Sequence, residues 1–434
     1  MIEQNVLPFK LERCKEILTA HAGLIVAHEF HVGLGLNRLL DDHLPLPGSG
    51  RGHRASEVIL PAVLMLQGGG TDLEGIGGIG RDKALCTAAQ FQRVPASTTL
   101  GDWLRRCGAS RWAMRGLQQV QRELTGTRLN AQKRSDFTLD IDATIIPADK
   151  ADATKAYEGT RGYHPMLGFL FENRWLLADQ FRTGSASPAG GLVEFIGHCR
   201  AQMPKGKRIA RLRSDSAAYN HDMVDDCEQH GIEYAIGADW DSAVKELYRG
   251  LPHESWTRCV ASGSRPEREV AETIHAFERG AGSFRIIFVR DVDPQKELFG
   301  EIRGRAIITN FSDEEMDAAA VVEWYNQRGT AENFIKEIKH GFGLHRVPCG
   351  QFHANAAWLR IAALAYNLFL LQQHLALPPD LARCSVSTVR WRLYQIAGRL
   401  VRHARQWVLK VAAELEAFAD LQQMRTAARS AAFP

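Results

Sequence analysis

Three acidic residues stand in settings that suit metal-assisted chemistry. Asp142 lies in LDIDAT, Asp215 in RLRSDSAAYN and Glu332 in YNQRGTAENFIKEIK. Carboxylate oxygens are the hard ligands that Mg²⁺ prefers, and Mg²⁺ takes one or two of them while keeping some of its waters. Asp140 points to the same face of the strand as Asp142, because strand side chains alternate. It is therefore either a rival ligand or a supporting carboxylate behind Asp142. Around Glu332 the spacing is informative: Tyr325, Arg328, Glu332 and Lys339 stand at offsets 0, 3, 7 and 14. At ~100° per residue these positions fall within about 60° of one another, so one continuous helix would present all four on a stripe. A carboxylate flanked by two cations and a phenol suits a metal and a phosphate. The same stripe also suits a solvated helix face, and Gly329-Thr330 is a point where the helix could break.

These residues need a scaffold. FTLDIDATIIP alternates apolar and polar residues and is rich in β-branched types, which predicts a strand. LGFLFENRWLLADQF predicts a hairpin turning near Glu172–Arg174. A helix at about 189–202 follows, then a strand at Arg208–Arg213, a helix at His221–His230 and a strand at Glu233–Ile236. This order implies a mixed α/β sheet, with Asp215 at the C-terminal end of its strand, where open sheets commonly place ligand-binding residues. Short β-like runs fill residues 240–312 and predict a β-rich insertion. Helical periodicity resumes from about Ser312 to Lys339 and again through Ala354–His374 and Thr388–Phe418. The expected organisation is a helical region (1–134), a first core segment (135–239), the insertion (240–312), a second core segment (313–375) and a helical C-terminal region (376–434).

Charge is unevenly spread over the 434 residues, although the net value is only +3. Residues 1–134 hold 17 Lys and Arg against 12 Asp and Glu; residues 340–434 hold 11 against 4. The centre therefore carries nine excess acids. Basic flanks around an acidic centre suit a polyanion gripped at the ends and cations collected between. Arg105, Arg106, Arg111, Arg115 and Arg122 cluster in the helical stretch Thr99–Leu124, a candidate set of phosphate contacts or a solvated helix face; Arg399, Arg402 and Arg405, in the C-terminal region, are candidates for contact with a polyanion or a second subunit. The eight cysteines include no CxxC pair, which speaks against a zinc knuckle or a disulfide scaffold and for reduced thiols in a cytoplasmic protein. The opening residues, with Glu3, Lys10, Glu12 and Arg13, do not read as a signal peptide. The most apolar run, Ile361–Leu371, is shorter than the ~20 residues a bilayer requires, so no membrane partner is expected.

Tyr, two residues, Arg, three residues, Glu, six residues, Lys resembles the signature of one large branch of bacterial insertion-sequence DDE transposases. LDIDAT resembles that family's first-aspartate strand, RSDSAAYN its second-aspartate motif, and GYHPMLGFL a run that follows the first. The resemblance spans about 136–375. It implies a ribonuclease H-like core with an insertion between the second aspartate and the glutamate, for which the 117 residues from Asp215 to Glu332 leave room. It also implies a DNA transposase with Asp142, Asp215 and Glu332 as catalytic metal ligands for two Mg²⁺ ions, or Mn²⁺ in their place. Asp142 would bridge the ions, with Asp215 on one and Glu332 on the other. The family's aspartate precedes a small residue and a Thr, as Asp142 does, which makes Asp140 the supporting carboxylate. Tyr325, Arg328 and Lys339 would hold DNA phosphate. The implied partners are double-stranded DNA, as the element's terminal inverted repeats and as target, and at least one further copy of the chain on that DNA; residues 1–134 are expected to bind the DNA ends and 376–434 to contact DNA or the second copy.

Other features carry less. Gly75 to Gly80 fits GxGxxG but follows no strand, and it is expected to be a loop. His164, near the first aspartate, is either a neighbour of the site or a structural histidine. Trp240 and Trp256 are either core residues or platforms for an extruded base. A nuclease of the same fold that cuts without joining, and a DNA-binding protein without catalysis, are the competing functional readings. A glycoside hydrolase would also use paired carboxylates, but no aromatic-lined sugar cleft is evident.

Overall fold

The computed structural model describes residues 11–259, 268–280, 282–291 and 304–431. The opening segment with Glu3 and Lys10, and parts of the 240–312 stretch, lie outside the described residues.

A nine-stranded mixed sheet forms the centre. Its strands are β1 (Asp136–Ala143), β2 (Met166–Leu170), β3 (Trp175–Gln180), β4 (Arg208–Ser214), β5 (Glu233–Ala238), β6 (Thr257–Cys259), β7 (Arg268–Ala276), β8 (Ser283–Asp291) and β9 (Gly304–Thr309), in the spatial order β3-β2-β1-β4-β5-β9-β8-β7-β6. The antiparallel trio β1 to β3 is the expected hairpin unit, with Arg174 at its turn at a φ of 61°. β1, β4 and β5 run parallel, which gives the expected mixed α/β core. Two parallel neighbours place their C-terminal ends on the same edge. That edge receives Asp142 from β1 and Asp215 from just beyond β4.

The expected β-rich insertion is partly corrected. Its strands exist, but β9 pairs with β5 and the meander β9-β8-β7-β6 prolongs the same sheet. It also contains the helix Ser242–Gly250. Strand propensity is local, whereas pairing across the sheet is not, so the runs were readable and their partner was not.

Helices enclose the sheet: α1 (Ala22–Gly33), α2 (Ala55–Gly68), α3 (Ser97–Ala109), α4 (Arg111–Asn130), α5 (Leu192–Gln202), α6 (Ala318–Asn326), α7 (Gly329–Lys336), α8 (Phe352–Leu375) and α9 (Leu415–Ser430). The 24-residue α8 has the length and composition to cross a membrane, and so exceeds the short apolar run seen in sequence, but it is buried inside the protein. It packs on α2 and α3 and is tied to the sheet: the Asn367 side chain accepts from Leu176 N at 3.0 Å and donates to Leu176 O at 2.8 Å. The single helical stretch expected over Thr99–Leu124 is two helices. Ser110 ends α3 and caps α4, its Oγ accepting from Ala113 N at 3.2 Å. Gly75–Gly80 is not a loop but a 3₁₀ turn running into a short helix.

The expected helix across Thr388–Phe418 is also corrected. Its middle is a hairpin, β10 (Gly398–His403) and β11 (Gln406–Val411), whose first strand pairs with Leu18–Thr19. Ala404 and Arg405, at φ of 48° and 66°, make the left-handed two-residue turn that suits the twist of such strands. Without Asn-Gly at this turn the usual hairpin signal is missing.

Where α1 meets α2 and α8, His28 and His31 are enclosed, 4% and 0% exposed, and among the described residues neither Nδ1 has a hydrogen-bond partner. His31 Nε2 stands 3.4 Å from Gln67 Nε2 and 3.3 Å from Gln372 Nε2. Burial lowers His28 to about 4 and His31 to about 3, His28 adding to the effect on His31. Each imidazole is thus neutral in the folded chain, and the unfolded chain binds more protons below its ordinary pKa. The stability each contributes is complete above about pH 6.5 and declines as pH falls toward the lowered value. A His31→Gln variant removes one such group. The stability of the wild type relative to that variant should therefore fall by about 2 kcal/mol between pH 7 and pH 5, measured by urea unfolding at both pH values.

Candidate active site

Asp142 and Asp215 line one small cleft with Tyr157 and His164. Asp142 sits at the end of β1, where the central strand is buried on both faces and its last side chains emerge at the sheet edge. Asp215 is the cap of a 3₁₀ turn, one carboxylate oxygen accepting from Ala217 N at 3.1 Å, which fixes the side chain at the strand end. The Arg328 guanidinium lies 3.7 Å from Asp142. Burial pushes the Asp142 carboxyl up to about 6; Arg328 pulls it down, and the charges of Asp215 and Glu332 push it further up. All three acidic charges act on Arg328 as well.

Asp140 plays a different part. It is fully buried, and Arg213, its Cα partner on β4, grips both oxygens at 2.7 and 2.9 Å. The same guanidinium donates to Trp324 O at 2.8 Å and lies over the rings of Phe171 and Trp324, 4.2 and 5.1 Å from their centroids. Cationic donors suit the orphan carbonyls at a helix C-terminus. Arg213 therefore locks the end of α6 onto β1 and β4, two residues before Asp215. With both oxygens committed, Asp140 is a positioning carboxylate. Sequence reasoning missed Arg213, because a lone Arg in a strand carries no signal until its partner is placed beside it.

The glutamate region is helical but not uniformly α. Between Gln327 and Ala331, backbone bonds run to the third residue back, Arg328 N to Tyr325 O and Ala331 N to Arg328 O at 2.9 and 2.8 Å. After α7 the chain widens into a π turn at Glu337–Gly341, a feature frequent at functional sites. That turn delivers Lys339 to the end of β1, where Nζ donates to Thr144 Oγ1 at 3.1 Å and Ile145 O at 3.0 Å. Burial lowers the Lys339 pKa. Glu332 is exposed on α7 and reaches Asp142 and Arg328 through its charge.

Tyr325, 9% exposed, packs behind the aspartates rather than on an open face. Gly237 on β5 admits it: a Cβ there would stand 2.8 Å from the Tyr325 hydroxyl and 3.3 Å from Ser216 N. Gly237→Ala should therefore destabilise the fold by about 1–3 kcal/mol through overpacking. Adding Tyr325→Phe, which removes the nearest atom, should recover most of that loss. Thermal unfolding of the two variants checks it; equal destabilisation by both would show that the hydroxyl is not the contact.

His164, 2% exposed, donates from Nδ1 to Ala186 O at 3.3 Å, and burial lowers its pKa. Tyr157 beside it is 70% exposed; it is a further cleft residue that sequence reasoning missed. Trp240 packs against Tyr248 and Phe288 and donates to Gly304 O, and Trp256 lies under Arg290. Both are packing residues here. Of the arginines grouped in sequence, Arg106, Arg111, Arg115 and Arg122 are exposed, while Arg105 pairs with Asp102.

The sequence matches the family described as transposase DDE domain group 1 over residues 12–428. This chain belongs to that transposase family. Its membership brings metal-dependent phosphodiester chemistry in general terms. A comparison with curated proteins finds no match. Among solved structures, a piggyBac transposase synaptic complex with hairpin DNA, determined by cryo-electron microscopy, aligns at a TM-score of 0.43 and 10% identity, covering 96% of this chain and 82% of that one.

The donors fit a hard divalent cation in part. Asp142 and Asp215 supply carboxylate oxygens to a shared cleft, and their mutual repulsion is relieved by positive charge. Among the described residues, however, no group of three or more His, Cys, Asp or Glu side chains is arranged closely enough to hold a metal. The site is thus a two-aspartate cleft with Glu332 at electrostatic range.

Proposed function

We propose that this transposase binds the ends of its own element as double-stranded DNA and catalyses divalent-metal-dependent cleavage and strand transfer at Asp142, Asp215 and Glu332. The observation that carries this reading is the meeting of Asp142, Asp215 and Arg328 at the C-terminal edge of the parallel strands, with the charge of Glu332 acting on both Asp142 and Arg328. Asp142 and Asp215 would hold Mg²⁺ or Mn²⁺, with Glu332 completing the ligands of a two-ion site. Bound there, the ions supply an activated nucleophile and stabilise the leaving oxygen.

The chain's own groups do the rest. Arg328 offers a bidentate fork beside the carboxylates, suited to a phosphate. Lys339 holds the segment after β1, through Thr144 and Ile145, and adds a point charge. Tyr325 keeps the Asp215 turn in place from behind. The Asp140–Arg213 pair ties the strand that carries Asp142 to the end of α6, from which the chain leads on to Arg328 and to α7 with Glu332. Two element ends are joined in one reaction, so the working form is a dimer or larger on DNA, in the bacterial cytoplasm.

The test is strand transfer of a pre-cut element end into a target duplex with Mg²⁺ or Mn²⁺. Covalently joined products support the reading. Nicking without joining would favour a nuclease of the same fold, and end binding without either would favour a catalytically silent DNA-binding protein.

A further inference from the structure

The hairpin β10–β11 has no part in the site, yet its composition is unusual. Over Gly398–Val411 it carries Arg399, Arg402, Arg405 and Lys410 and no acidic residue. Opposed residues of an antiparallel pair share a face. Leu400 and Leu409 face each other, and Leu400 is buried, so this face anchors the base of the hairpin to the protein. Continuing outward on the same face, Arg402 opposes Trp407, its guanidinium 5.9 Å from the ring centroid. From Arg402 to Val408 every residue is exposed, Trp407 by 48%. The turn places Ala404 and Arg405 in left-handed backbone. The tip therefore presents Arg402, His403, Arg405 and an indole together, clear of the body. Among the described residues, Arg399, at the base, is the one hairpin cation with a carboxylate partner, Glu16 at 2.6 Å.

We propose that this hairpin is an arm that grips the phosphate backbone of duplex DNA through Arg402 and Arg405, with Trp407 backing the first of them. The proposal rests on the transposase reading above. Charge complementarity selects the partner: exposed guanidiniums without carboxylates meet a polyanion, and a two-stranded ribbon has dimensions a DNA groove admits.

The experiment measures affinity of the full chain for duplex DNA carrying the element's ends between 50 and 200 mM salt. The Arg402→Ala/Arg405→Ala double variant is compared with wild type and with Arg279→Ala/Arg429→Ala, which removes the same charge elsewhere. Each phosphate contact contributes a slope of about 0.9 in log affinity against log salt. The hairpin variant is expected to lose about 2 from that slope and about tenfold or more in affinity at low salt, with an unchanged melting temperature, while the control keeps the wild-type slope. An unchanged slope in the hairpin variant overturns the proposal and leaves the transposase reading intact. If the slope is unchanged but sedimentation shows a smaller assembly without DNA, the arm belongs to a second copy of the chain, which also overturns it. A wild-type chain that binds no duplex DNA at any salt would overturn both readings.

Discussion

Asp142→Asn is expected to slow cleavage of element-end DNA by about a thousandfold or more, because metal-borne charge stabilisation is worth several kcal/mol and each 1.36 kcal/mol is tenfold in rate. The exchange removes the charge that draws the cation and keeps the shape of the side chain. It also relieves repulsion in the cleft, since Asp142 is half-buried and pressed by the charges of Asp215 and Glu332. The variant should therefore fold at least as stably as the wild type and still bind ends, because the exposed arginines are untouched. Single-turnover cleavage at saturating DNA, with gel-shift affinity and a thermal melt alongside, separates these effects. Loss of folding or of end binding in parallel with cleavage would mean that Asp142 is structural.

Removing one half of the Asp140–Arg213 pair should have the largest effect on stability. Both side chains are completely buried and joined by two bonds. Asp140→Ala strands an uncompensated guanidinium, and such a change costs about 3–5 kcal/mol. The double variant Asp140→Leu/Arg213→Met removes both charges, and replacing a buried pair by apolar groups is often close to neutral. It should recover most of the stability in urea unfolding. Its cleavage should nonetheless stay low, because Trp324 O loses its donor and the end of α6 is no longer tied to the strands bearing the aspartates. Full activity in a stable double variant would show that the pair does not position the site.

Much of the site was legible in the sequence, and the reasons differ by residue. Asp142 and Asp215 could be placed because each closes a recognisable strand, and strand ends at one edge of a parallel pair need no long-range knowledge beyond that pairing. Arg328 and Glu332 were singled out because their spacing with Tyr325 and Lys339 resembles the transposase signature, not because one helix had to carry them. Lys339 reaches the site by another route, since a tightened turn and a π turn replace the uniform α-helix that the spacing assumed. Tyr325 kept its place in the signature, but sequence could not show that the missing side chain of Gly237 lets it sit behind Asp215. Arg213 and Asp140 became a pair only when β1 and β4 were laid side by side.

The fold was read less evenly. The strands of 240–312 were recognised, but their continuation of the central sheet depends on β9 finding β5 across more than sixty residues of chain. The hairpin reads as a helix in sequence because Leu400, Val401, Ala404, Trp407 and Val408 fall at three- and four-residue spacing without the alternation of a strand, and its turn lacks glycine and asparagine. In each case local chemistry was visible and the non-local partner that decides the structure was not.

The central claim is that Asp142, Asp215 and Glu332 hold divalent metal, and Mn²⁺ binding followed by electron paramagnetic resonance tests it without relying on activity. The chain would be titrated with Mn²⁺ in the presence of pre-cut element-end DNA, comparing wild type with Asp142→Asn, Asp215→Asn, Glu332→Gln and the remote exposed Asp222→Asn. The account predicts tight Mn²⁺ binding by wild type and Asp222→Asn, and marked weakening in each of the other three. Undiminished binding in all three variants would contradict it.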